Sequence, residues 1–178
     1  MDAENFLIIS GNGRDTGKTS FVCRVIAAHK NKYPITAIKI SPHFHPDTDT
    51  SEAIIRNNNY NIYLETDPWS SKDSSRMISA GAQKVYYIEA TDDTLPHAWN
   101  ALKPLLTDKG PHICESGGLR HLIHPSLFIM LNRSEREELK NSFKILSPLA
   151  DKIVFFDGRS FDYSPEQIHF DGERWSIG

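Results

Sequence analysis

The sequence predicts an α/β fold in which helices cover both faces of a mostly parallel β-sheet. Short apolar runs of strand length alternate along the chain with segments of helical periodicity, which is the pattern of consecutive strand–helix–strand units. A glycine-rich turn joins the first apolar run to the first helical segment. Near the end of the chain, Asp171-Gly172 stands between alternating residues, a pattern typical of a β-hairpin.

The composition is that of an ordinary soluble protein and fits a single domain over residues 1–178. The 20 Lys and Arg residues against 23 Asp and Glu residues give a net charge of −3, which argues against a nucleic-acid partner and an anionic membrane surface. The N-terminus lacks the pattern of a secretion signal, and no apolar run has membrane-spanning length. We therefore expect a cytoplasmic protein that binds neither nucleic acid nor membrane.

The glycine-rich turn has the layout of a phosphate-binding P-loop. It follows the apolar run 6–9, and Gly-Lys-Thr opens the predicted helix after it. Inward-turned backbone N–H groups and a helix N-terminus hold phosphate oxygens, while the lysine bridges the β- and γ-phosphates and the threonine hydroxyl binds Mg²⁺. The predicted nucleotide-binding residues are Gly11, Asn12, Gly13, Arg14, Asp15, Thr16, Gly17, Lys18, Thr19 and Ser20.

The spacing of this loop departs from the usual pattern, which has about four residues between its two glycines. That pattern would place a glycine where Asn12 stands, whereas a longer loop from Gly11 to Gly17 keeps both glycines. A glycine-rich turn with an incidental lysine is the structural alternative. Because strand, turn and helix follow in the required order, the sequence predicts the three-layer P-loop NTPase fold, with a mostly parallel sheet flanked by helices and a C-terminal β-hairpin.

Hydrophobic periodicity places the remaining elements in order. We predict helices over 19–29, 74–81, 94–106 and 134–149, strands over 35–40, 85–89, 112–115, 127–131 and 153–156, and the hairpin over 168–175. Asp73 is predicted to cap the second helix and Gly81 to end it. The polar segment 41–72 is typical of a long functional loop, and it contains a predicted short edge strand at 62–64.

Charged residues at the carboxyl ends of the predicted strands are candidates for the rest of the site, because open α/β sheets bind ligands there. Glu115 ends one strand and precedes two glycines, so its carboxylate and the Thr19 hydroxyl are the candidate Mg²⁺ ligands. Lys39 ends another strand and is a candidate for neutralising phosphate or substrate charge. The alternatives are an exposed carboxylate in a turn and a solvated lysine. Lys18, Lys39 and Glu115 form the predicted catalytic set.

Two further groups are candidates for contact with a substrate or a partner. The histidines and aspartates of 43–49 have metal-ligand chemistry, although histidines in polar loops are commonly just solvated. An arginine one helical turn after an aspartate can clamp an anionic group, or can simply form a helical ion pair. The predicted substrate or partner residues are His43, His45, Asp47, Asp73 and Arg76.

Asn132 is a candidate contact for the nucleotide base. It follows a late predicted strand, which is where guanine-reading Asn-Lys-x-Asp segments lie in GTPases. The segment here reads Asn-Arg-Ser-Glu, so only the asparagine fits, and a plain loop is the alternative.

Several motifs together resemble the family of molybdopterin-guanine dinucleotide biosynthesis protein B. They are Gly-Lys-Thr-Ser at 17–20, Ile38-Lys39 with His43 and His45 after it, and Asp-Ser-x-Arg-x-x-x-Ala-Gly-Ala at 73–82. The resemblance implies a GTP-binding P-loop accessory protein, often a homodimer, that acts with a partner enzyme of molybdenum-cofactor biosynthesis.

Two features are instead similar to dethiobiotin synthetase, which belongs to the same branch of NTPases. One is the spacing from Gly11 to Gly17, and the other is Glu-Ser-Gly-Gly-Leu at 115–119, one residue shorter than the matching segment of that enzyme. This resemblance implies that Glu115 binds Mg²⁺ and that Lys39 contacts substrate and phosphate.

Three functions follow from these residues and stay open. The first is a Mg²⁺-dependent GTP- or ATP-binding accessory protein with slow hydrolysis. The second is an ATP-dependent biosynthetic ligase or small-molecule kinase, with an acceptor pocket built from Lys39 and the 41–72 segment. The third is a P-loop scaffold that binds nucleotide without hydrolysing it.

Overall fold

The computed structural model describes residues 2–44, 52–135 and 137–178, and within these ranges eight strands form one mostly parallel sheet. The strands of this sheet are β1 (Asp2–Gly11), β2 (Thr36–Ser41), β3 (Glu52–Arg56), β4 (Tyr60–Leu64), β5 (Lys84–Ala90), β6 (His112–Glu115), β7 (His124–Arg133) and β8 (Lys152–Phe156). Their order is β3-β4-β5-β2-β6-β1-β7-β8, and only the pairs of β4 with β3 and with β5 are antiparallel. The strand that leads into the glycine-rich turn, β1, therefore lies inside the sheet between β6 and β7.

Helices cover both faces of the sheet. They are α1 (Lys18–His29), α2 (Asp73–Ala80), α3 (Leu95–Leu102) and α4 (Asn141–Leu146). One face packs against α1, α2 and the antiparallel hairpin of β9 (Ile168–Phe170) with β10 (Trp175–Ile177), and the other face packs against α3 and α4. The predicted three-layer P-loop NTPase fold with a C-terminal β-hairpin is confirmed.

The apolar run of β1 is continuous because both of its faces are buried. Leu7 and Ile9 belong to the core on the α1 side, whereas Phe6 and Ile8 belong to the core on the α3 side. Full burial of each such side chain contributes about 1.5–3 kcal/mol relative to exposure. The glycine-rich turn therefore starts from a strand that is held from both faces. No helix in the described ranges is long and apolar enough to cross a membrane.

The predicted amphipathic helix over 134–149 is wrong in its first half. Among the described residues of this range only α4 is α-helical, a 3-10 helix (Ser147–Leu149) follows it, and Lys140 before it is extended. The Nδ2 group of Asn12 donates to the Glu138 carbonyl, and the Lys140 N–H donates to Oδ1 of Asn12, each at 2.9 Å. This buried amide satisfies backbone groups that a longer helix would have paired internally.

The polar segment 41–72 contains more regular structure than predicted. The predicted strand at 62–64 exists as β4, but it is not the edge strand, because β3 pairs with its outer side. The turn between them is closed by Oδ1 of Asn57, which accepts from the N–H groups of Asn59 and Tyr60. An asparagine that bonds to the backbone two and three residues on is a turn signal, and it marks this hairpin in the sequence.

Two predicted helix ends are also corrected. The residue at the N-cap of α2 is Lys72, and Asp73 lies in the first helical turn, where its carboxylate binds a lysine instead of the helix backbone. The predicted helix over 94–106 ends as an α-helix at Leu102 and continues as a 3-10 helix (Lys103–Leu105) that contains Pro104. The predicted end of α2 at Gly81 is confirmed.

Candidate functional site

The glycine-rich loop makes a tight turn between β1 and α1. Gly17, directly before α1, has a φ of +79°, and a Cβ built on it would lie 2.8 Å from the Phe161 ring and 3.0 Å from the Phe156 ring. Only glycine meets both conditions without strain. No side chain caps the N-terminus of α1, an arrangement that leaves helix N–H groups available to an anion.

Lys18 is held by the loop that it follows. Its Nζ donates to the carbonyl oxygen of Gly13 at 2.5 Å and to Oγ1 of Thr16 at 3.3 Å. Burial lowers the pKa of Lys18, and the nearby carboxylate of Glu115 only partly opposes this effect. A desolvated ammonium beside a turn of this shape is a site of positive charge that an anionic ligand would stabilise.

The strand ends bring two predicted residues together beside the loop. Lys39 of β2 and Glu115 of β6 are paired in register, and their side chains meet at 2.5 Å between Nζ and Oε1. The other oxygen of Glu115 accepts from the Thr19 hydroxyl at 2.8 Å. Asp73 completes the network, since its Oδ2 accepts from Lys39 Nζ at 2.7 Å. We call Thr19, Lys39, Asp73 and Glu115 the strand-end network.

The charges of this network stabilise one another. Burial by itself lowers the pKa of Lys39, but the carboxylates of Glu115 and Asp73 outweigh burial and raise it above the usual value. Burial likewise raises the pKa of Asp73, and Lys39 outweighs it, so that this pKa is lowered. Glu115 is only 2 % exposed. Lys39 and Asp73 are therefore charged at neutral pH, and the network offers a buried carboxylate with a hydroxyl beside it.

The start of α2 is joined to the P-loop helix. Arg76 Nη2 donates to Oγ of Ser20 at 3.0 Å, and its Nη1 lies 3.7 Å from Oδ1 of Asp73. Arg76 thus forms the helical ion pair with Asp73, and it also lies beside the loop through Ser20, where it could clamp an anionic group. Glu65 fixes the same helix start, because its buried carboxylate accepts from Oγ of Ser74 at 2.6 Å. Glu65 was not among the predicted site residues, and its signal in the sequence is a carboxylate at the end of an apolar strand.

Most of the predicted site residues line one cleft of about 1040 Å³ at the carboxyl ends of the strands. Those lining it are Gly11, Gly13, Arg14, Asp15, Thr16, Gly17, Lys18, Thr19, Ser20, Lys39, His43, Asp73, Arg76 and Glu115. His45 and Asp47 lie outside the described residues. Among the residues that are described, no group of three or more His, Cys, Asp or Glu is placed to hold a metal ion by itself.

Asn12 and Asn132 are not among the residues that line the cleft. Both are buried, and Nδ2 of Asn12 donates to Oδ1 of Asn132 at 3.0 Å. Asn12 therefore supports the loop from behind, and this geometry does not favour the predicted base contact of Asn132. The neighbouring Arg133 and Phe156 do line the cleft, although neither was a predicted site residue. Their signal was the position of each at the carboxyl end of a strand.

These features define a P-loop NTPase-like α/β fold, and comparison with known proteins agrees at the level of the fold. No protein-family model matches the sequence, and no curated protein matches it. Among solved structures, the chain is similar to LpxK from Aquifex aeolicus, crystallised in its "apo" form in complex with ATP, with a TM-score of 0.53 and 15 % sequence identity.

The similarity covers 95 % of this chain and 52 % of the LpxK chain. This chain therefore spans about half the length of LpxK. At this level of identity the likeness shows a shared fold, and the ligand and the chemistry of the present protein have to be argued from its own residues.

Proposed function

We propose that the protein binds a nucleoside triphosphate, GTP or ATP, together with Mg²⁺, and that it hydrolyses the γ-phosphate slowly as an accessory protein. The observation that carries this proposal is the strand-end network beside Lys18, in which Thr19 donates to the buried carboxylate of Glu115. A lysine, a hydroxyl and a carboxylate placed around a tight glycine-rich loop are the groups that phosphoryl transfer requires.

The residues around the loop fit a Mg²⁺ ion. The Thr19 hydroxyl and the Glu115 carboxylate are both oxygen donors, and two protein ligands are enough for an ion that keeps phosphate oxygens and waters in its shell. Bound there, Mg²⁺ would supply positive charge to the β- and γ-phosphate oxygens.

Each cation of the site has a distinct part in the proposed reaction. Lys18 leaves the Gly13 carbonyl and contacts the phosphate oxygens. Lys39 also lines the cleft, and its ammonium neutralises charge that develops at the γ-phosphate. Glu115 keeps Lys39 and Thr19 in position through one carboxylate oxygen each. Hydrolysis then needs little beyond the positioning of a water molecule and neutralisation of charge.

The accessory role rests on the segment that resembles the molybdenum-cofactor accessory family. Two of its residues take part in the site, because Asp73 binds Lys39 and Arg76 binds Ser20. In this proposal the contacts of α2 with Lys39 and Ser20 change with the bound nucleotide, and a partner enzyme binds to this segment. The chain acts as a homodimer, as members of that family often do.

A second candidate function is transfer of the γ-phosphate to a small-molecule acceptor, or ligation driven by ATP. The observation that favours it is the extent of the cleft, whose volume of about 1040 Å³ lies at the upper end of the range of ligand pockets. The cleft continues past Lys39 to Ser41, His43 and Tyr87, which leaves room for an acceptor beside the γ-phosphate.

Replacement of Lys18 tests nucleotide binding. Lys18→Ala should abolish the Mg²⁺-dependent binding of GTP and ATP in calorimetry and the rise in melting temperature that each nucleotide causes by mass action. The matched control is Lys32→Ala, an exposed lysine outside the cleft, which should bind as the wild type does. Absence of nucleotide binding by the wild-type protein, with and without Mg²⁺, would refute the proposal.

The two candidate functions differ in the stoichiometry of the reaction. A slow release of nucleoside diphosphate that does not respond to small molecules supports the accessory role. Diphosphate release that accelerates only with an acceptor, with one phosphorylated or ligated product for each diphosphate, supports the second function.

A further inference from the structure

Arg133 carries a planar cationic guanidinium and lines the cleft. Its guanidinium carbon lies 5.7 Å from the centre of the Phe156 ring, and its Nη1 lies 3.5 Å from the carbonyl oxygen of Asp15, to which it donates. Gly158 makes room for this position: a Cβ built there would come within 3.3 Å of both terminal nitrogens of Arg133. The guanidinium therefore contacts an aromatic ring and the backbone of the P-loop.

The aromatic support beneath Arg133 is itself fixed to the P-loop. The rings of Phe156 and Phe161 stack with centroids 4.7 Å apart, and Phe161 meets Phe21 of α1 edge to face at 5.1 Å. Gly17 packs against both phenylalanines of the stack. The position of Arg133 is thus set relative to the loop by packing as well as by its hydrogen bond.

The charges on the two sides of β1 point to different parts of a nucleotide. The strand-end network and Lys39 lie on the β6 and β2 side, which suits the γ-phosphate end. Arg133 and Phe156 end β7 and β8, on the opposite side of β1. If the phosphates of an extended nucleotide lie in the loop, its base lies on the β6 side or on the β7 side of β1. The β7 side is favoured because it has the planar cation of Arg133 and lacks the carboxylates of the strand-end network.

We infer that Arg133 is the platform on which the base of the bound nucleotide stacks, with a preference for purines over pyrimidines. This inference rests on the proposed function, since it presumes a nucleotide in the P-loop. Guanidinium groups stack on the faces of bases, and the larger purine ring gains more from this contact. Because stacking does not distinguish hydrogen-bonding edges, the platform accepts ATP and GTP alike.

The contact replaces the one predicted for Asn132. The amide oxygen of Asn132 accepts from Asn12 and from the Arg133 N–H, and the residue is 5 % exposed. The next residue along the strand, with the opposite side-chain direction, is the one that reaches the cleft.

The test compares ligands that have a base with one that lacks it. Binding of ATP, GTP, UTP and inorganic tripolyphosphate is measured with Mg²⁺ for the wild type, Arg133→Ala, Arg133→Lys and the control Arg174→Ala, an exposed arginine of the C-terminal hairpin. We expect Arg133→Ala to weaken ATP and GTP about tenfold or more and to leave tripolyphosphate unchanged. Arg133→Lys, which keeps the charge but loses the flat surface, should lose most of the same affinity.

The comparison of bases follows the stacking itself. UTP, which has the smaller pyrimidine ring, should bind the wild type and Arg174→Ala more weakly than ATP and GTP do, and this difference should disappear in Arg133→Ala. UTP binding to the wild type as tight as that of ATP and GTP would contradict the purine preference. Circular dichroism and melting temperature show whether each variant is folded.

Two results would overturn the inference alone. One is a wild-type protein that binds tripolyphosphate as tightly as ATP and GTP, and the other is an Arg133→Ala variant that loses tripolyphosphate and nucleotides to the same degree. A wild-type protein that binds none of the four ligands would refute the proposed function as well.

Discussion

Asn12 has no exposed surface, and its amide bonds to Asn132, to the Glu138 carbonyl and to the Lys140 N–H. The usual P-loop pattern has a glycine at this position, so the asparagine is a mismatch to that pattern. In the structure it is a positioning residue that ties the loop to the segment before α4. A buried amide with several bonds cannot be replaced by an apolar side chain without leaving its partners unsatisfied.

His112 makes folding stability sensitive to acid. It is 2 % exposed, stacks on Phe6 at 4.7 Å and accepts from Nδ2 of Asn5 at 2.8 Å. Burial lowers the pKa of His112 to about 4, whereas a histidine in the unfolded chain has a pKa near 6.5. Between these values the unfolded chain binds more protons at this residue, so the contribution of His112 to stability is greatest above pH 6.5 and falls by up to about 1.4 kcal/mol per pH unit down to pH 4.

Replacement of His112 should remove this dependence. Urea unfolding at pH 7 and pH 5 is expected to show a smaller loss of stability for His112→Gln than for the wild type. His124→Gln is the matched control, because the His124 side chain is 69 % exposed, and it should keep the wild-type dependence. An unchanged pH slope in His112→Gln would contradict the assignment.

At the scale of elements, the unit of β1, loop and α1 depends on the left-handed turn at Gly17. Gly17→Ala adds a Cβ at a φ of +79° and within 3.0 Å of two aromatic rings. We expect a loss of stability of at least about 1–2 kcal/mol from the backbone strain, with a further loss from the clash. Because the rings must shift, nucleotide binding should be lost as well, which calorimetry measures.

The hairpin of β9 and β10 provides the control for this change. Gly172 also has a positive φ, of +114°, but a Cβ built there meets nothing within 4 Å. Gly172→Ala should therefore lose stability while nucleotide affinity stays at the wild-type value. Equal loss of affinity in the two variants would show that the effect at Gly17 comes from general destabilisation.

The parallel strands of the sheet were predictable because their apolar runs are continuous, and β6 matches its predicted range at both ends. For the same reason Lys39 and Glu115 could be expected to lie together, since both end parallel strands. The antiparallel strand β3 lies in the polar segment and was not predicted. The extended path of 138–140 was not predictable from periodicity, because it is set by contacts with Asn12, more than a hundred residues away in sequence. Arg133 and Phe156 could have been placed at strand ends from the sequence, but the packing of Phe156 against Gly17 and of Arg133 near the Phe156 ring has no local pattern.

At the scale of the whole molecule, the C-terminal segment closes the core on the α1 side. Trp175 is 1 % exposed, and its indole N–H donates to the carbonyl of Asn5 at 3.1 Å. Its ring packs against Phe170 and His29, with centroids 4.9 and 5.2 Å away. Trp175→Ala should therefore reduce the free energy of unfolding by about 3–5 kcal/mol, as large truncations in cores do.

Trp69 is a control of the same residue type. It is 90 % exposed, so Trp69→Ala should change the free energy of unfolding by no more than about 0.5 kcal/mol. Guanidinium unfolding followed by circular dichroism measures both variants without reliance on tryptophan fluorescence. Similar stabilities of the two variants would mean that the hairpin does not belong to the cooperative core.

The Asn12 contacts have a consequence for the thermodynamics of the loop. Fixing the backbone of a residue costs about 1–2 kcal/mol of conformational entropy. At this loop part of that entropy is lost on folding and not on ligand binding, because the buried amide of Asn12 already fixes the end of β1. A ligand that arrives at a loop ordered in advance loses less of its binding free energy to ordering. The affinity of a ligand for this cleft is then governed by how well contacts with Lys18 and its neighbours replace the water that the ligand loses. The loop keeps the same conformation when no ligand is bound.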